Sequence, residues 1–426
     1  MATSATHMTE VAVAGGGLAG LVAARTLADR GHDVTVFERN DTVGGRVRSR
    51  EVDGFTLDRG FQVLFTAYPA VRRELDLDAL DLRAFTPGAT LVRPGQRSTL
   101  SDPLRDPGAL TASLFNQEVT FRDKLRILSL RRDLSKMSAS EALADDEGTI
   151  EEFLRSRGFS RQFREHFAAP FYGGITLDRS LSTSQAVFEY TFKMLSQGRT
   201  VVPADGMGAI PAQLADCARA AGATIETETP VRSVDPDGDG VTVETDHETV
   251  AAEAAIVATD PPTAMELTGV ASIPTAARSC VTQHFRLPPS QHLTSGKRLL
   301  LNAADDRPNQ VAPMSAVAPE YAPDREQLLS ATFLGEQAAD DETLAEEVRD
   351  ALASWFPENQ FGGLELLATD RIEFAQFDQP PGFRSTLPAV DAPEGEIFLA
   401  GDYTRWSSIQ GAMQSGREAA LSALDG

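Results

Sequence analysis

The stretch "VAVAGGGLAG", Val11 to Gly20, decides how the rest of the chain is read. Thr9 to Ala14 are mostly small and apolar and predict a buried strand. Gly15-Gly16-Gly17-Leu18-Ala19-Gly20 follows at once, and "LVAARTLADRG" carries helical periodicity to Gly31. A second strand is predicted over "DVTVFER", ending near Glu38 and Arg39. A GxGxxG match carries weight only in such a strand–turn–helix–strand context. Gly15 permits the tight turn, Gly17 lets backbone approach a pyrophosphate, and Gly20 lets the helix pack on the strand. Leu18 and Ala19 open the helix, whose free N–H groups and dipole favour an anion. Glu38 stands about 20 residues on, the spacing of an acid on ribose hydroxyls. A Rossmann-type α/β domain is predicted, holding either FAD or NAD.

Composition narrows the function. A chain of 426 residues is long enough for two or three domains. Net charge is −23, which argues against nucleic acid as a partner. Lysine occurs only at 124, 136, 193 and 297, so nearly all of the 39 cationic residues are arginine. An acidic, lysine-poor surface suggests a salt-rich cytoplasm. Cys217 and Cys280 lie far apart and the six histidines are scattered, which argues against a disulfide framework and against a metal site. No apolar run is long enough to span a bilayer. "MATSATHMTE" lacks the basic and apolar regions of a secretory signal.

A second glycine pair follows in "DTVGGRVRS", where Gly44 and Gly45 precede Arg46, a residue able to reach a diphosphate. "DGFTLDRGFQVLF" then predicts a hairpin-like strand pair ending at Gly60-Phe61-Gln62. Together these residues resemble the start of the flavin amine oxidase and phytoene desaturase superfamily. The resemblance implies FAD, with the Gly44–Arg46 segment at its diphosphate and the Gly60–Gln62 segment beside its ring. A second GxGxxG for a nicotinamide domain is missing from the sequence, which disfavours a two-nucleotide reductase.

"IFLAGDYTRWSSIQGAMQSGREAA", Ile397 to Ala420, is similar to the superfamily's C-terminal signature, most closely that of the plant-type phytoene desaturases. The resemblance implies that Gly401-Asp402 meet the ribityl chain. It also implies that the helix start at Gln410, Gly411, Ala412 and Met413 points its dipole at the flavin N1/O2 edge. Val231, in "AAGATIETETPVRSV", would meet the adenine. The fold implied is a Rossmann-type FAD-binding domain of glutathione-reductase-2 or amine oxidase type, with a discontinuous α+β substrate domain. Residues 9–90, 196–264 and 376–424 would form the first, and 91–195 and 265–375 the second.

The expected activity is FAD-dependent dehydrogenation or desaturation of a mostly apolar, isoprenoid-like substrate, with oxygen or a quinone as acceptor. Amine oxidation is the alternative. It is disfavoured because no lysine occurs from Ser279 to Pro288 and because Trp406 has no aromatic partner in Ser407-Ser408-Ile409. A flavin-binding protein without turnover is the third reading. The flavin is expected to be non-covalent, since no cysteine lies near the C-terminal signature. No catalytic acid or base stands out; Gln62, Tyr172 and Trp406 are the candidates for lining the substrate cavity.

Four other segments carry expectations. "TFRDKLRILSLRRDLSKM", Thr120 to Met137, is a basic island: either a surface helix with its arginines paired to acids, or a peripheral membrane contact at a substrate portal. "DPDGDG", Asp235 to Gly240, predicts a hairpin turn rather than a calcium loop. "TIEEFL" predicts a capped helix leading to "AAPFYGGITLD". "PMSAVAPEYAP" predicts a proline-rich loop or edge strand.

Overall fold

The computed structural model describes residues 10–100, 119–144, 147–238 and 240–425. The N-terminal stretch through Thr9 and residue 239 of the "DPDGDG" segment lie outside them.

The glycine-loop strand, Glu10–Ala14, forms the centre of a five-stranded parallel sheet. Its neighbours are Asp33–Phe37, which pairs outward with Thr224–Glu226, and Ala254–Val257, which pairs outward with Ile397–Leu399. The sheet thus joins segments from both ends of the chain. Its strands are small and apolar because both faces are covered, as parallel sheets require. The helix Leu18–Ala28 packs against the final helix, Ile409–Asp425, at very close range. A Cβ on Gly416 would come within 2.0 Å of the Ala19 carbonyl oxygen, so only glycine allows that approach.

A second, seven-stranded mixed sheet runs in the order Glu365–Phe377, Ala277–Leu287, Gln327–Leu334, Gln310–Ala312, Leu299–Asn302, Ala89–Arg93 and Gln96–Leu100. Alternation along its strands sends Val281, Phe285, Val311 and Phe333 to one face. There the helix Asp341–Trp355 covers them with Leu344, Val348, Leu352 and Trp355. The other face contributes to the cavity described below.

A helical layer closes that cavity. Phe121–Ser135 and Ile150–Ser156 both begin with capping boxes, Thr120/Asp123 and Thr149/Glu152. A further helical run covers Arg161 to Thr176 and contains one π-helical turn, Arg164–Ala168. Pro170 accounts for that turn: it has no N–H to offer His166 and its ring crowds that carbonyl.

"PMSAVAPEYAP" is neither loop nor edge strand. It holds a short helix, Met314–Val317, and a 3₁₀ turn, Pro319–Tyr321. Tertiary packing overrides the prolines: Tyr321 is fully buried and donates to Asp58 Oδ2 at 3.1 Å. The Val231–Asp237 and Gly240–Thr245 strands pair antiparallel, as a hairpin at "DPDGDG" requires.

Candidate active site

A single cavity of about 1630 Å³ runs from the glycine loop to the helical layer. Pockets for one drug-sized ligand span roughly 300–1,000 Å³, so this one has room for a dinucleotide and a second molecule.

At the glycine loop, Gly15 has φ +109°, and a Cβ there would meet the Ala258 carbonyl oxygen at 2.6 Å. Gly17 caps the Leu18–Ala28 helix without any side-chain cap, and a Cβ on it would meet nothing within 4 Å. The helix therefore opens to the cavity with its first N–H groups free for an anion. Gly20 serves packing instead of lining: a Cβ there would lie 2.0 Å from the Gly15 carbonyl oxygen. Glu38 is buried at the same end; its Oε2 accepts from Gly16 N at 2.8 Å and its Oε1 from Asn40 N at 2.9 Å. The carboxylate braces the loop and retains a lone pair on Oε2.

The second glycine pair lies beside the first. Gly44 N donates to Gly16 O at 2.8 Å, with φ +118° at Gly44 and +59° at Gly45. Arg39, Arg46, Arg48 and Arg59 all line this end. Burial, followed by the charge of Arg48, lowers the pKa of Arg59. Arg48 and Arg59 escaped the sequence reading, although "GRVRSR" carried the signal for Arg48. Such a cluster suits a diphosphate.

Arg46 spans the site. Its Nη2 donates to Asp402 Oδ1 at 2.6 Å and its Nη1 to Ala375 O at 3.0 Å. Burial pulls the Arg46 pKa down, but Asp402 beside it outweighs that and raises it. Asp402, 3% exposed, also accepts from Ser407 Oγ at 2.8 Å. Gly401 and Val231 line the cavity as well.

The final helix begins one residue earlier than the expected Gln410–Met413 start. Ile409 and Ala412 line the cavity, while Gln410 and Met413 are buried in the core. Gln410 Oε1 accepts from Ala70 N at 2.8 Å, and Ser408 Oγ caps Gly411 N at 2.8 Å. A Cβ on Gly411 would meet the Trp406 carbonyl oxygen at 2.2 Å, so that glycine is there for packing. The helix end can address the cavity through Ile409 and Ala412, not through the side chains of Gln410 and Met413.

Gly60, Phe61 and Gln62 line the middle of the cavity. Gly60 N donates to Asp370 Oδ2 at 3.1 Å, and Asp370 also takes Arg50 Nη1 at 2.8 Å and His284 Nε2 at 3.1 Å. Burial pushes the Asp370 carboxyl up, but those hydrogen bonds prevail and hold it at about 2. Gln62 donates through Nε2 to the carbonyls of Arg46 and Arg59, which ties it to the loop. Trp406 lines the cavity with its edge against Tyr190, 5.2 Å between centroids. Tyr190, from the Gln185–Gln197 helix, supplies an aromatic neighbour that the local sequence around Trp406 does not. The Cys280 thiol also reaches the cavity; burial pushes it up to about 12, so it stays protonated.

The far wall is aromatic. Phe159, Phe163, Phe167 and Phe171 follow one another at centroid distances of 4.6, 5.3 and 5.3 Å. Tyr172 and Phe188 continue the wall at 4.5 Å. A phenylalanine every fourth residue in "FSRQFREHFAAPF" was the missed signal. The Phe121–Ser135 helix forms the rim, where Phe121, Leu125 and Leu128 are 68%, 51% and 49% exposed.

Comparison with known proteins agrees with this arrangement. Residues 18–424 match the family described as flavin containing amine oxidoreductase, and the chain belongs to it. A phytoene dehydrogenase of Streptomyces griseus is 31% identical over 292 residues, 61% of this chain and 56% of that protein. Protoporphyrinogen oxidase 2 of Arabidopsis thaliana is 32% identical over 168 residues, 38% of this chain and 32% of that protein. These matches span about half of the first relative's length and a third of the second's. In structure the chain is similar to putrescine oxidase, with a TM-score of 0.73, 18% identity and coverage of 98% of this chain and 99% of that one. The protein is an FAD-dependent oxidoreductase.

Proposed function

We propose that this oxidoreductase dehydrogenates or desaturates a mostly apolar, isoprenoid-like substrate. The aromatic wall carries the reading: Phe159 to Phe171 form a continuous aromatic series along the cavity, suited to an extended hydrocarbon. Bound FAD supplies a two-electron oxidant. Gly15, Gly17, Leu18, Ala19, Gly44, Gly45 and Arg46 would hold its diphosphate, assisted by Arg39, Arg48 and Arg59. Glu38 would take ribose hydroxyls through its remaining lone pair, and Val231 the adenine. Gly60–Gln62, Gly401, Asp402 and Ala412 would surround its ring and ribityl chain. Tyr172, Trp406 and the phenylalanines orient the substrate and exclude water, which is the larger part of what hydride transfer asks of a protein.

The acceptor in this reading is oxygen or a quinone, and the compartment a salt-rich cytoplasm. The Phe121–Ser135 rim would rest on an anionic membrane surface, with Phe121, Leu125 and Leu128 entering it beside Lys124 and Arg131. Anaerobic mixing of the protein, in high salt, with polyisoprenoids and then with amines tests the substrate class. Flavin bleaching by a polyisoprenoid is the expected outcome; bleaching by amines alone would overturn it.

A further inference from the structure

The apolar wall contains one polar group whose position is unusually determined. Gln310 lines the cavity, is 2% exposed, and stands on the short central strand Gln310–Ala312. Val311, next to it, points to the opposite face of the sheet, into the core beneath the Asp341–Trp355 helix. Leu301, the register partner of Gln310, packs with Phe167 and Phe171 of the aromatic wall. Gln310 thus belongs to the apolar part of the cavity rather than to the arginine-rich end.

The orientation of its amide follows from a relay of partners. Arg179 can only donate. Its Nη2 donates to Asn302 O at 2.8 Å and its Nη1 to Asn309 Oδ1 at 3.0 Å, which fixes the Asn309 oxygen toward Arg179. The Asn309 amino group must then face the other way, where it donates to Pro170 O at 3.0 Å and to Gln310 Oε1. Gln310 therefore turns its oxygen to Asn309. Its amino group has no protein partner among the described residues and is presented to the cavity. Gly174 makes room for the amide pair: a Cβ there would lie 2.9 Å from Gln310 Oε1 and 3.2 Å from Asn309 Nδ2.

A relay that turns an N–H₂ without a protein partner into an otherwise apolar cavity wall points to a ligand atom that accepts from it, since a bound apolar ligand would leave that donor unsatisfied. Gln376 also lines the cavity, and its Nε2 donates to Ile175 O at 2.7 Å. That bond leaves the Gln376 oxygen as an acceptor.

We infer that Gln310 is a specificity-determining residue that donates to an oxygen at one end of the substrate, so that the substrate is an apolar chain with a hydroxyl or carbonyl group and not a pure hydrocarbon. This rests on the proposed role of the cavity as the site of an apolar substrate. A hydroxyl oxygen and a carbonyl oxygen can both accept from Gln310.

The test is a matched ligand pair, geranylgeraniol and the hydrocarbon of the same chain lacking the hydroxyl. Each is titrated anaerobically into FAD-loaded wild type and Gln310→Met, with the flavin absorbance change as the binding signal. Wild type should bind the alcohol about tenfold more tightly, the worth of one hydrogen bond to a donor that the hydrocarbon would cover and leave unsatisfied. In Gln310→Met that ratio should fall to near one, through loss of alcohol affinity and not through weaker hydrocarbon binding. Unchanged flavin content and hydrocarbon affinity in Gln310→Met would verify that the variant is intact; the wild-type ratio needs no variant. Equal affinity for both ligands in wild type, or a preference that survives in an intact Gln310→Met, overturns this inference and leaves the apolar-substrate reading standing. Binding of neither ligand overturns both.

Discussion

Arg46 and Asp402 are unequally buried, and this makes the effect of removing each one different. Asp402 is 3% exposed and takes two hydrogen bonds, from Arg46 and from Ser407; the Arg46 side chain is 31% exposed. Arg46→Met leaves a buried carboxylate with a single neutral donor. Breaking a buried pair from that side costs about 3–5 kcal/mol, and partial access of water through the vacated Arg46 position puts this case near the lower end, about 3 kcal/mol. Asp402→Asn leaves the guanidinium instead, which water can reach, at about 1–2 kcal/mol. In the double variant the orphaned carboxylate is gone, so its cost should fall below that of Arg46→Met alone, to about 2 kcal/mol. Urea denaturation of flavin-stripped protein measures all three. A cost under about 1 kcal/mol for Arg46→Met, or a double variant that equals the sum of the singles within about 0.5 kcal/mol, would refute the reasoning. FAD titration of the same samples separates stability from cofactor binding. If Asp402 also serves the ribityl chain, Asp402→Asn weakens FAD by about tenfold or more, and unchanged affinity removes that role.

Asp370 predicts an acid limb. Its folded pKa of about 2 lies below an ordinary 3.8, so its contribution is fully present above pH 4 and is lost as pH falls toward 2; the difference corresponds to about 2 kcal/mol. Asp370→Asn should lower stability at pH 7 and flatten the loss between pH 4 and 2, as followed by urea midpoints; parallel wild-type and variant curves would count against it. Gly20→Ala should abolish FAD retention, because its Cβ would collide with the Gly15 carbonyl and displace the loop; a variant purified with full flavin content would contradict that. Replacing Phe121, Leu125 and Leu128 together by serine should remove co-sedimentation with anionic vesicles at unchanged Tm, since those side chains are exposed. Wild-type protein that stays in the supernatant would end the membrane reading.

How far the site could be read in advance depended on distance along the chain. The glycine loop was legible because turn, helix start and acid all occur within Gly15 to Glu38, and each residue type follows from a local backbone demand. The capping box at Thr149 was equally local; the one at Thr120 and the phenylalanines at every fourth position from 159 to 171 were just as local but went unread. The helix start at Gln410 to Met413 was legible as such, but which of its residues line the cavity was not, because a helix start does not reveal which of its faces meets the core.

The sequence by itself determined a nucleotide-binding βαβ unit, a second glycine segment suited to phosphate, and a C-terminal strand and helix of matching kind. These are short-range features, set by what neighbouring residues permit. Only the tertiary structure decided that Arg46 meets Asp402 across 356 positions, that Gly60 is held by Asp370 across 310, and that Arg179 fixes Asn309 across 130. Those contacts arise where two sheets and a helical layer close around one cavity. No local preference of the residues involved specifies their partners, because each partner is supplied by the packing of elements distant in sequence.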